Sequence, residues 1–398
     1  MKRRRRLNAP RFVLILGIFI ALVAIVVILA INSDKRQAQN NPGPTQTITP
    51  TDKGTATPVA TPTPVETSTP TPVASPEPTK APDNNLVIRT DYENFKPNEV
   101  GEIPVIMFHN FIEAYKPDTE KDYTTTFGEF ETLLQTLYDQ GFRLISMQDF
   151  IDCNVSVPAG TIPMVFTFDD GTPGQFNLIE ENGKLKVNPR SAVGIMMAFN
   201  EKHPDFGLKG MFYVNMDKEN KTFEGAGTLK ERFELLESIG LELGTHTWGH
   251  VNYTKKKTAE EVQESLGKNQ KRAEEILPGL KFDSLALPFG SRPENKSLRP
   301  YLKDGSYNGV DYHHETIMAV GAEPSVPSIS KKYDSLYVRR VRAQGRVTVD
   351  ADLTWWLPKM TSERMFVSDG DPKTIVIPAN KTDRVDETKL SDKKLITY

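Results

Sequence analysis

Short apolar runs and amphipathic stretches alternate along the chain from about residue 103 onward. The runs at 104–108, 163–168, 210–215 and 241–244 are almost continuously apolar, which is typical of parallel strands buried on both faces. Between them, large hydrophobic side chains recur three and four residues apart, as in helices that pack one face against a sheet. This alternation predicts an α/β fold whose parallel sheet forms a barrel.

Capping boxes mark the starts of two helices, because a Thr and a Glu three residues later can each accept the other's backbone N–H. Thr126 with Glu129 and Thr258 with Glu261 have this spacing. They predict one helix that ends near residue 140 and another that ends near residue 278. The other predicted elements are a hairpin at 172–190, helices at 192–202 and 229–239, strands at 284–290 and 374–378, and a strand-like stretch at 307–320.

Two aspartates stand at the end of the apolar run at 163–168. Asp169 and Asp170 are followed by Gly171. Parallel α/β folds carry their chemistry at the C-terminal ends of strands, because the strand fixes the backbone while the loop leaves side chains free to meet a ligand. Asp-Gly is also a common turn dipeptide, so this pair alone fits a plain turn equally well.

Two of the six histidines, His246 and His250, follow the predicted strand at 241–244. Imidazoles four residues apart fall on one face of a helical turn and can both reach one metal ion, with an Asp oxygen from a neighbouring strand as the third ligand. A pair of histidines alone is more often a surface or core pair. Together with two aspartates at another strand end, it indicates a site.

The motifs TFDDG at 167–171 and HTWGH at 246–250 resemble those of the polysaccharide deacetylases of carbohydrate esterase family four. The resemblance covers roughly residues 103–343. It implies a distorted, incomplete version of the (β/α) barrel. It also implies a hydrolase that acts on carbon–nitrogen bonds other than peptide bonds and removes acetyl groups from an N-acetylated polysaccharide.

The same resemblance implies roles for individual residues. Asp169 would be the catalytic base, and Asp170, His246 and His250 would bind a divalent metal ion, expected to be zinc. The backbone N–H of Phe289, in the segment ALPF, would stabilise the oxyanion.

The sequence departs from the family pattern at two positions of that segment. Ala286 stands where the family has an Arg that orients the catalytic aspartate, and Phe289 stands in place of Tyr. Losing the Arg removes a charge that would keep Asp169 ionised. A catalytically decayed, non-catalytic glycan-binding protein on the same fold therefore stays open as an alternative, as does an O-deacetylase.

The general acid is also not in its usual place, because no L-x-H motif follows near the end of the predicted barrel. The histidines that remain are His109, His203, His313 and His314. His109 is the preferred candidate, since its strand should end on the same rim as Asp169 and His246. The alternative is that Asp169 itself carries the proton from water to the leaving amine.

The N-terminal part differs in composition from the rest. Residues 1–11 are basic and residues 12–31 are uncharged and apolar, which predicts a transmembrane helix with a cytoplasmic N-terminus, a single-pass cell-membrane location and an extracytoplasmic catalytic domain. A cleavable signal peptide is the competing interpretation, although no A-x-A site follows the run. Eleven prolines between Pro42 and Pro82 predict a disordered linker over 32–84.

The remaining chain is expected to divide into a deacetylase-like catalytic domain at 85–345 and a C-terminal extension at 346–398. The hydrophobic content of 38% is ordinary for a soluble core, and the net charge of −3 gives no indication of nucleic-acid binding. The only cysteine, Cys153, excludes an internal disulfide. Nothing in the pattern fixes the oligomeric state.

Overall fold

The computed structural model describes residues 87–120, 122–344 and 349–398. The predicted basic segment, transmembrane helix and linker at 1–11, 12–31 and 32–84 lie outside these residues.

Helices and strands alternate through most of the described chain. Its α-helices are α1 (Tyr92–Phe95), α2 (Phe127–Asp139), α3 (Met147–Ile151), α4 (Ala192–Lys202), α5 (Leu229–Ser238), α6 (Ala259–Ile276) and α7 (Leu353–Trp356). Its strands are β1 (Val105–Phe108), β2 (Asn110–Ile112), β3 (Thr124–Thr126), β4 (Phe142–Leu144), β5 (Ile162–Asp169), β6 (Leu178–Glu181), β7 (Lys184–Val187), β8 (Met211–Val214), β9 (Glu242–Thr245), β10 (Ser284–Ala286), β11 (Asp304–Tyr307), β12 (Val310–His313), β13 (Thr316–Met318), β14 (Val341–Arg342), β15 (Thr374–Ile377) and β16 (Lys394–Thr397).

The main sheet is parallel and has the order β13-β10-β9-β8-β5-β1-β14, with β4 paired to the start of β5. Val338 bridges Met318 of β13, and Val341 of β14 pairs with Ile106 of β1. The short segment 338–342 therefore pairs with strands from both sides of the sheet. The result is a curled parallel sheet that resembles a (β/α) barrel, which confirms the predicted α/β class.

Aromatic packing fixes the strands that carry the site. Phe108 of β1 stacks on Phe168 of β5 at 5.3 Å between ring centroids, and Phe168 stacks on Phe212 of β8 at 4.4 Å. All three rings are fully buried. Burying one such side chain contributes about 1.5–3 kcal/mol, so this layer holds the ends of β1, β5 and β8 at fixed positions.

Local signals predicted the helix starts well. The capping boxes of Thr126 with Glu129 and Thr258 with Glu261 both form, at the starts of α2 and α6. The expected hairpin is the antiparallel pair of β6 and β7.

Two of the expected strands differ from the prediction. The strand predicted at 284–290 ends at Ala286, because the chain turns at Pro288–Gly290, where Phe289 has a φ of 58°. The stretch at 307–320 is not one strand. Asn308 and Gly309 both have positive φ and form the turn of the β11–β12 hairpin, and β13 follows as a separate strand.

The C-terminal residues pack against the first described residues. Met365, Phe366 and Val367 are buried in the core. The backbone N–H of Phe366 donates to the carbonyl of Glu102, and β15 pairs in parallel with β16. The segment from 349 onward therefore shares its hydrophobic core with the parallel sheet.

The prediction of a single-pass cell-membrane protein is corrected. Among the residues described, no helix is long and apolar enough to cross a membrane. The stretch at 12–31, on which that prediction rested, lies outside them.

Candidate active site

The two aspartates of the central strand point in different directions. Asp169 ends β5 with a side chain that is only 1% exposed, whereas the side chain of Asp170 is 24% exposed and lines a pocket. The backbone turns sharply between them, because Asp170 has a φ of 84° and Gly171 a φ of 61°. A non-glycine residue with a positive φ is strained by about 1 kcal/mol or more, and such strained residues are common at active sites.

The histidine loop begins after β9. His246 and His250 do not lie on a helical turn as the spacing predicted, because Thr247 and His250 have φ values of 68° and 48°. The side-chain amide of Asn215 holds this loop by donating to the carbonyls of His246 and Thr247, the latter at 3.0 Å. The two imidazoles still meet, with their ring centroids 4.9 Å apart.

Asp170, His246 and His250 converge on one point. Oδ1 of Asp170 lies 3.8 Å from Nε2 of His246 and 3.8 Å from Nε2 of His250, and one ligand atom from each residue lies within 4.8 Å of the others. These three residues could hold a metal ion. Two imidazoles and one carboxylate are a donor set of catalytic zinc sites, which leave a position open for water or substrate.

The protonation of His246 fits such a role. Its Nδ1–H donates to the carbonyl of Ala286 at 2.9 Å, which leaves the lone pair of Nε2 facing Asp170. Burial lowers the pKa of His246, with the nearby Asp169 and Asp170 acting in the opposite direction. The neutral imidazole that a metal requires is therefore favoured.

An arginine holds Asp169. Nη1 and Nη2 of Arg340, which is fully buried, lie 2.7 and 2.8 Å from the two carboxylate oxygens, and Nε donates to the carbonyl of Ala319 at 2.8 Å. Burial alone would raise the pKa of Asp169, but the Arg340 guanidinium and the neighbouring His246 outweigh it and hold the pKa well below its usual range.

This ion pair corrects the expectation that Asp169 lacks an arginine. Position 286 is indeed an alanine. The positive charge beside Asp169 comes instead from Arg340, which directly precedes β14 and which sequence analysis did not identify. The run VRRVR at 338–342 was the available signal, since an arginine in a buried segment needs an anionic partner.

His109 follows β1 and lies beside Asp169. Its Nε2 is 3.8 Å from Oδ2 of Asp169, and its ring packs edge-on against Tyr123 at 4.8 Å. Its buried Nδ1 has no hydrogen-bond partner among the described residues. Burial lowers the pKa of His109, while Asp169 and Asp170 act to raise it. The side-chain amide of Gln175 fixes this junction by donating to the backbone carbonyls of both His109 and Asp169.

The other three histidines lie elsewhere. His203 follows the last residue of α4 and packs against Tyr138 at 4.2 Å. His313 is exposed and pairs with Asp304. His314 is buried and donates from Nδ1 to the carbonyl of Leu302 at 2.6 Å.

Phe289 lies at the mouth of the same pocket. Its side chain contacts the ring of His250 edge-on, with 4.6 Å between centroids. The pocket has a volume of about 410 Å³ and is lined by His109, Asn110, Glu120, Tyr123, Asp169, Asp170, His246, His250, Leu287, Phe289 and Val320. The candidate base, the three possible ligands, His109 and Phe289 thus share one cavity.

Residues 157–310 match the family model described as polysaccharide deacetylase. This part of the chain is a polysaccharide deacetylase domain. The match begins after His109 and ends before Arg340, so both side chains that contact the Asp169 carboxylate lie outside the matched segment.

Solved structures that this chain resembles include two deacetylases and the protein IcaB. A polysaccharide deacetylase from Bacillus cereus is 19% identical, with a TM-score of 0.48 over 66% of this chain and 70% of that one. A deacetylase from Streptococcus pyogenes, in complex with acetate, is 14% identical, with a TM-score of 0.47 over 66% and 99%. IcaB from Ammonifex degensii is 19% identical, with a TM-score of 0.43 over 63% and 94%. No curated protein matches the sequence significantly.

Proposed function

We propose that this deacetylase domain hydrolyses the N-acetyl groups of a cell-wall or surface polysaccharide with the help of a divalent metal ion, expected to be zinc. The observation that carries the proposal is the arrangement of Asp170, His246 and His250 around one point, beside a carboxylate held by Arg340. When bound by those three residues, the ion would polarise the acyl oxygen and lower the pKa of a water molecule.

Asp169 is proposed as the general base. A base must be ionised, and the bidentate contact with Arg340 keeps Asp169 so, despite its burial. The same contact fixes the direction of the carboxylate, so that the proton of the attacking water meets an oriented acceptor.

Two further groups complete the proposed reaction. The backbone N–H of Phe289 is assigned to the oxyanion by the resemblance, and its turn lies at the pocket edge. His109 is proposed to give a proton to the leaving amine, because its Nε2 faces the same carboxylate that takes the proton from water. In the alternative route, Asp169 delivers that proton itself.

Two other functions would use the same fold. An O-deacetylase would use the same residues, since the same attack by water cleaves an ester. A non-catalytic glycan-binding protein was motivated by the missing arginine and the missing L-x-H motif, and the ion pair of Arg340 with Asp169 removes the first of these two reasons.

The test is acetate release by the purified, zinc-loaded protein from N-acetylated and O-acetylated oligosaccharides. We expect release from an N-acetylated substrate, a loss of about 10²–10⁴-fold in Asp169→Asn, and unchanged release in Asp311→Asn, which alters an exposed aspartate of β12. Release from esters alone would support the O-deacetylase. Glycan binding that survives chelation, with no release from any glucosamine- or xylan-based substrate, would contradict the proposal.

A further inference from the structure

The ring of His109 is positioned by packing against a tyrosine. Its buried Nδ1 has no hydrogen-bond partner in the part of the chain that the structure describes, and the 3.8 Å from Nε2 to Oδ2 of Asp169 is too long for a hydrogen bond. The ring meets Tyr123 edge-on, at 4.8 Å between centroids. Because a proton donor must point at its acceptor, whatever fixes Tyr123 also fixes the direction of the proposed acid.

The backbone of Tyr123 is tied to that of the histidine. His109 directly precedes β2 and Tyr123 directly precedes β3, which pairs with β2 in parallel. The carbonyl of Tyr123 accepts the backbone N–H of Asn110, the residue after His109, at 2.9 Å. This pairing places the two residues side by side at the pocket that both line. The direction of the tyrosine ring depends on its side-chain contacts.

A second arginine of the run at 338–342 lies over the ring of Tyr123. The guanidinium carbon of Arg342 is 5.1 Å from the ring centroid, a distance at which a cation is attracted to an aromatic face. Arg340, two positions earlier, contacts the proposed base Asp169. One arginine of this segment therefore holds the base, and the other lies on the tyrosine that packs against the proposed acid.

Asp352 fixes Arg342 in this place. Nε and Nη2 of Arg342 donate to the two carboxylate oxygens of Asp352 at 2.9 and 3.2 Å, and the side-chain amide of Gln344 donates to the same carboxylate at 2.7 Å. The side chain of Asp352 is only 4% exposed, and the residue directly precedes α7, in which Leu353 and Trp356 are buried. Separating such a buried pair would leave a charge without a partner, so the pair keeps one geometry.

We propose that Tyr123, Arg342 and Asp352 form a brace that holds His109 with its Nε2 directed at the leaving amine. The three are positioning residues, since they act through His109. This inference rests on the proposed function and deepens it, because it gives a part in the reaction to the C-terminal segment from 349 onward, which supplies Asp352.

A second array of the same four residue types provides a matched control. His203 packs against Tyr138 at 4.2 Å, and the guanidinium carbon of Arg143 lies 4.2 Å from the centroid of the same tyrosine ring. Nε of Arg143 donates to Asp205 at 3.0 Å. These four residues lie outside the lining of the deacetylase pocket. The control therefore matches the brace in chemistry but not in location.

The experiment compares acetate release by the zinc-loaded protein from N-acetylglucosamine tetramers and from p-nitrophenyl acetate. The amide needs a proton on its leaving nitrogen, whereas p-nitrophenolate leaves without one, so only the amide reaction depends on the direction of His109. Asp352→Asn should lower the amide-to-ester ratio of kcat about tenfold, with KM for the tetramers unchanged. Asp205→Asn should leave the ratio unchanged.

Two further comparisons separate positioning from stability. Arg342→Met combined with Asp352→Asn removes both charges, so no charge is buried without a partner, and the ratio should fall at least as far as in Asp352→Asn alone. Tyr123→Phe keeps the ring that touches His109, whereas Tyr123→Leu removes the aromatic edge. The amide kcat of Tyr123→Phe should therefore exceed that of Tyr123→Leu about tenfold.

An unchanged ratio in Asp352→Asn, whether both rates fall or neither does, would overturn the brace while leaving the proposed function standing. If the wild-type protein releases no acetate from the tetramers, the proposed function fails, and NMR of the histidine rings tests the brace instead. The brace predicts that Asp352→Asn moves the ring signal of His109 and not that of His203. A His109 signal at the same position in the wild type and in Asp352→Asn would contradict it.

Discussion

The guanidinium of Arg340 donates hydrogen bonds to both carboxylate oxygens of Asp169, at 2.7 and 2.8 Å, although the two residues lie 171 positions apart in the sequence. This contact answers a question that the sequence raised, since the position where the family carries its arginine is Ala286. An arginine charge reaches the same carboxylate from the segment just before β14. Ala286 is left with a different contact, because its carbonyl accepts the Nδ1–H of His246.

Replacing Arg340 should therefore impair Asp169 as a base. In Arg340→Lys one charge remains but the paired hydrogen bonds are lost, so the pKa of Asp169 should rise. Because the base must be ionised, the acidic limb of the pH profile of kcat/KM should move to higher pH. The measurement is acetate release as a function of pH.

Arg340→Met goes further, because it leaves a buried carboxylate without a partner, and should lower the free energy of unfolding by about 3–5 kcal/mol. Arg339→Met is the matched control, since the adjacent Arg339 is partly exposed and pairs with Glu323. A pH profile that is identical in Arg340→Lys and the wild type would show that this arginine does not tune the base.

Zinc affinity should depend on the three proposed ligands. His250→Ala removes one ligand atom and Asp170→Asn removes the charge of another, so zinc affinity measured by calorimetry on the metal-free protein should fall at least tenfold in each. His203→Ala, a substitution outside the pocket, should bind zinc like the wild type. Equal zinc affinity in all three variants would contradict the assignment of this site.

His109 can be tested as the acid independently of the metal. His109→Ala should lower turnover by about 10²–10⁴-fold and remove the alkaline limb of the pH profile, while zinc affinity is retained. Near-normal turnover would favour the route in which Asp169 carries both protons. Loss of bound zinc would instead place His109 among the ligands.

A buried carboxylate far from the histidines makes stability depend on pH. Glu99 accepts hydrogen bonds from the backbone N–H groups of Asp369 and Val376, and burial together with the nearby Asp369 raises the pKa of Glu99 well above its usual range. The folded state then holds a proton that the unfolded state releases. Stability is fully present below the ordinary glutamate pKa and is lost as pH rises through the raised value.

Chemical denaturation of the wild type and Glu99→Gln across that range checks this prediction. The variant should be less stable at low pH, because an amide nitrogen cannot accept the second N–H, but its stability should fall less with rising pH. Parallel curves for the two proteins would contradict the role of Glu99.

Local patterns predicted the parts of the fold that depend on near neighbours. The buried strand β5, the capping boxes of α2 and α6 and the β6–β7 hairpin each follow from residues a few positions apart. The motif residues Asp170, His246 and His250 come together because β5, β8 and β9 are adjacent parallel strands.

Contacts between segments that are distant in sequence could not be predicted from the sequence. Arg340 meets Asp169 only because β14 pairs with β1, which pairs with β5. The left-handed backbone at Thr247 and Phe289 was equally hidden, since neither residue type favours it. A histidine spacing that suits a helical turn thus belongs to a loop, and an expected strand ends in a turn.

The central claim is that Asp170, His246 and His250 hold one metal ion that Asp169 needs in order to release acetate. Titration of zinc into the metal-free protein, with acetate release from N-acetylglucosamine tetramers followed at each addition, tests it most directly. The account predicts release that rises from zero and saturates at one zinc per chain in the wild type, with zinc bound but no rise in Asp169→Asn. Release that is independent of added zinc, or absent at saturating zinc, would contradict it.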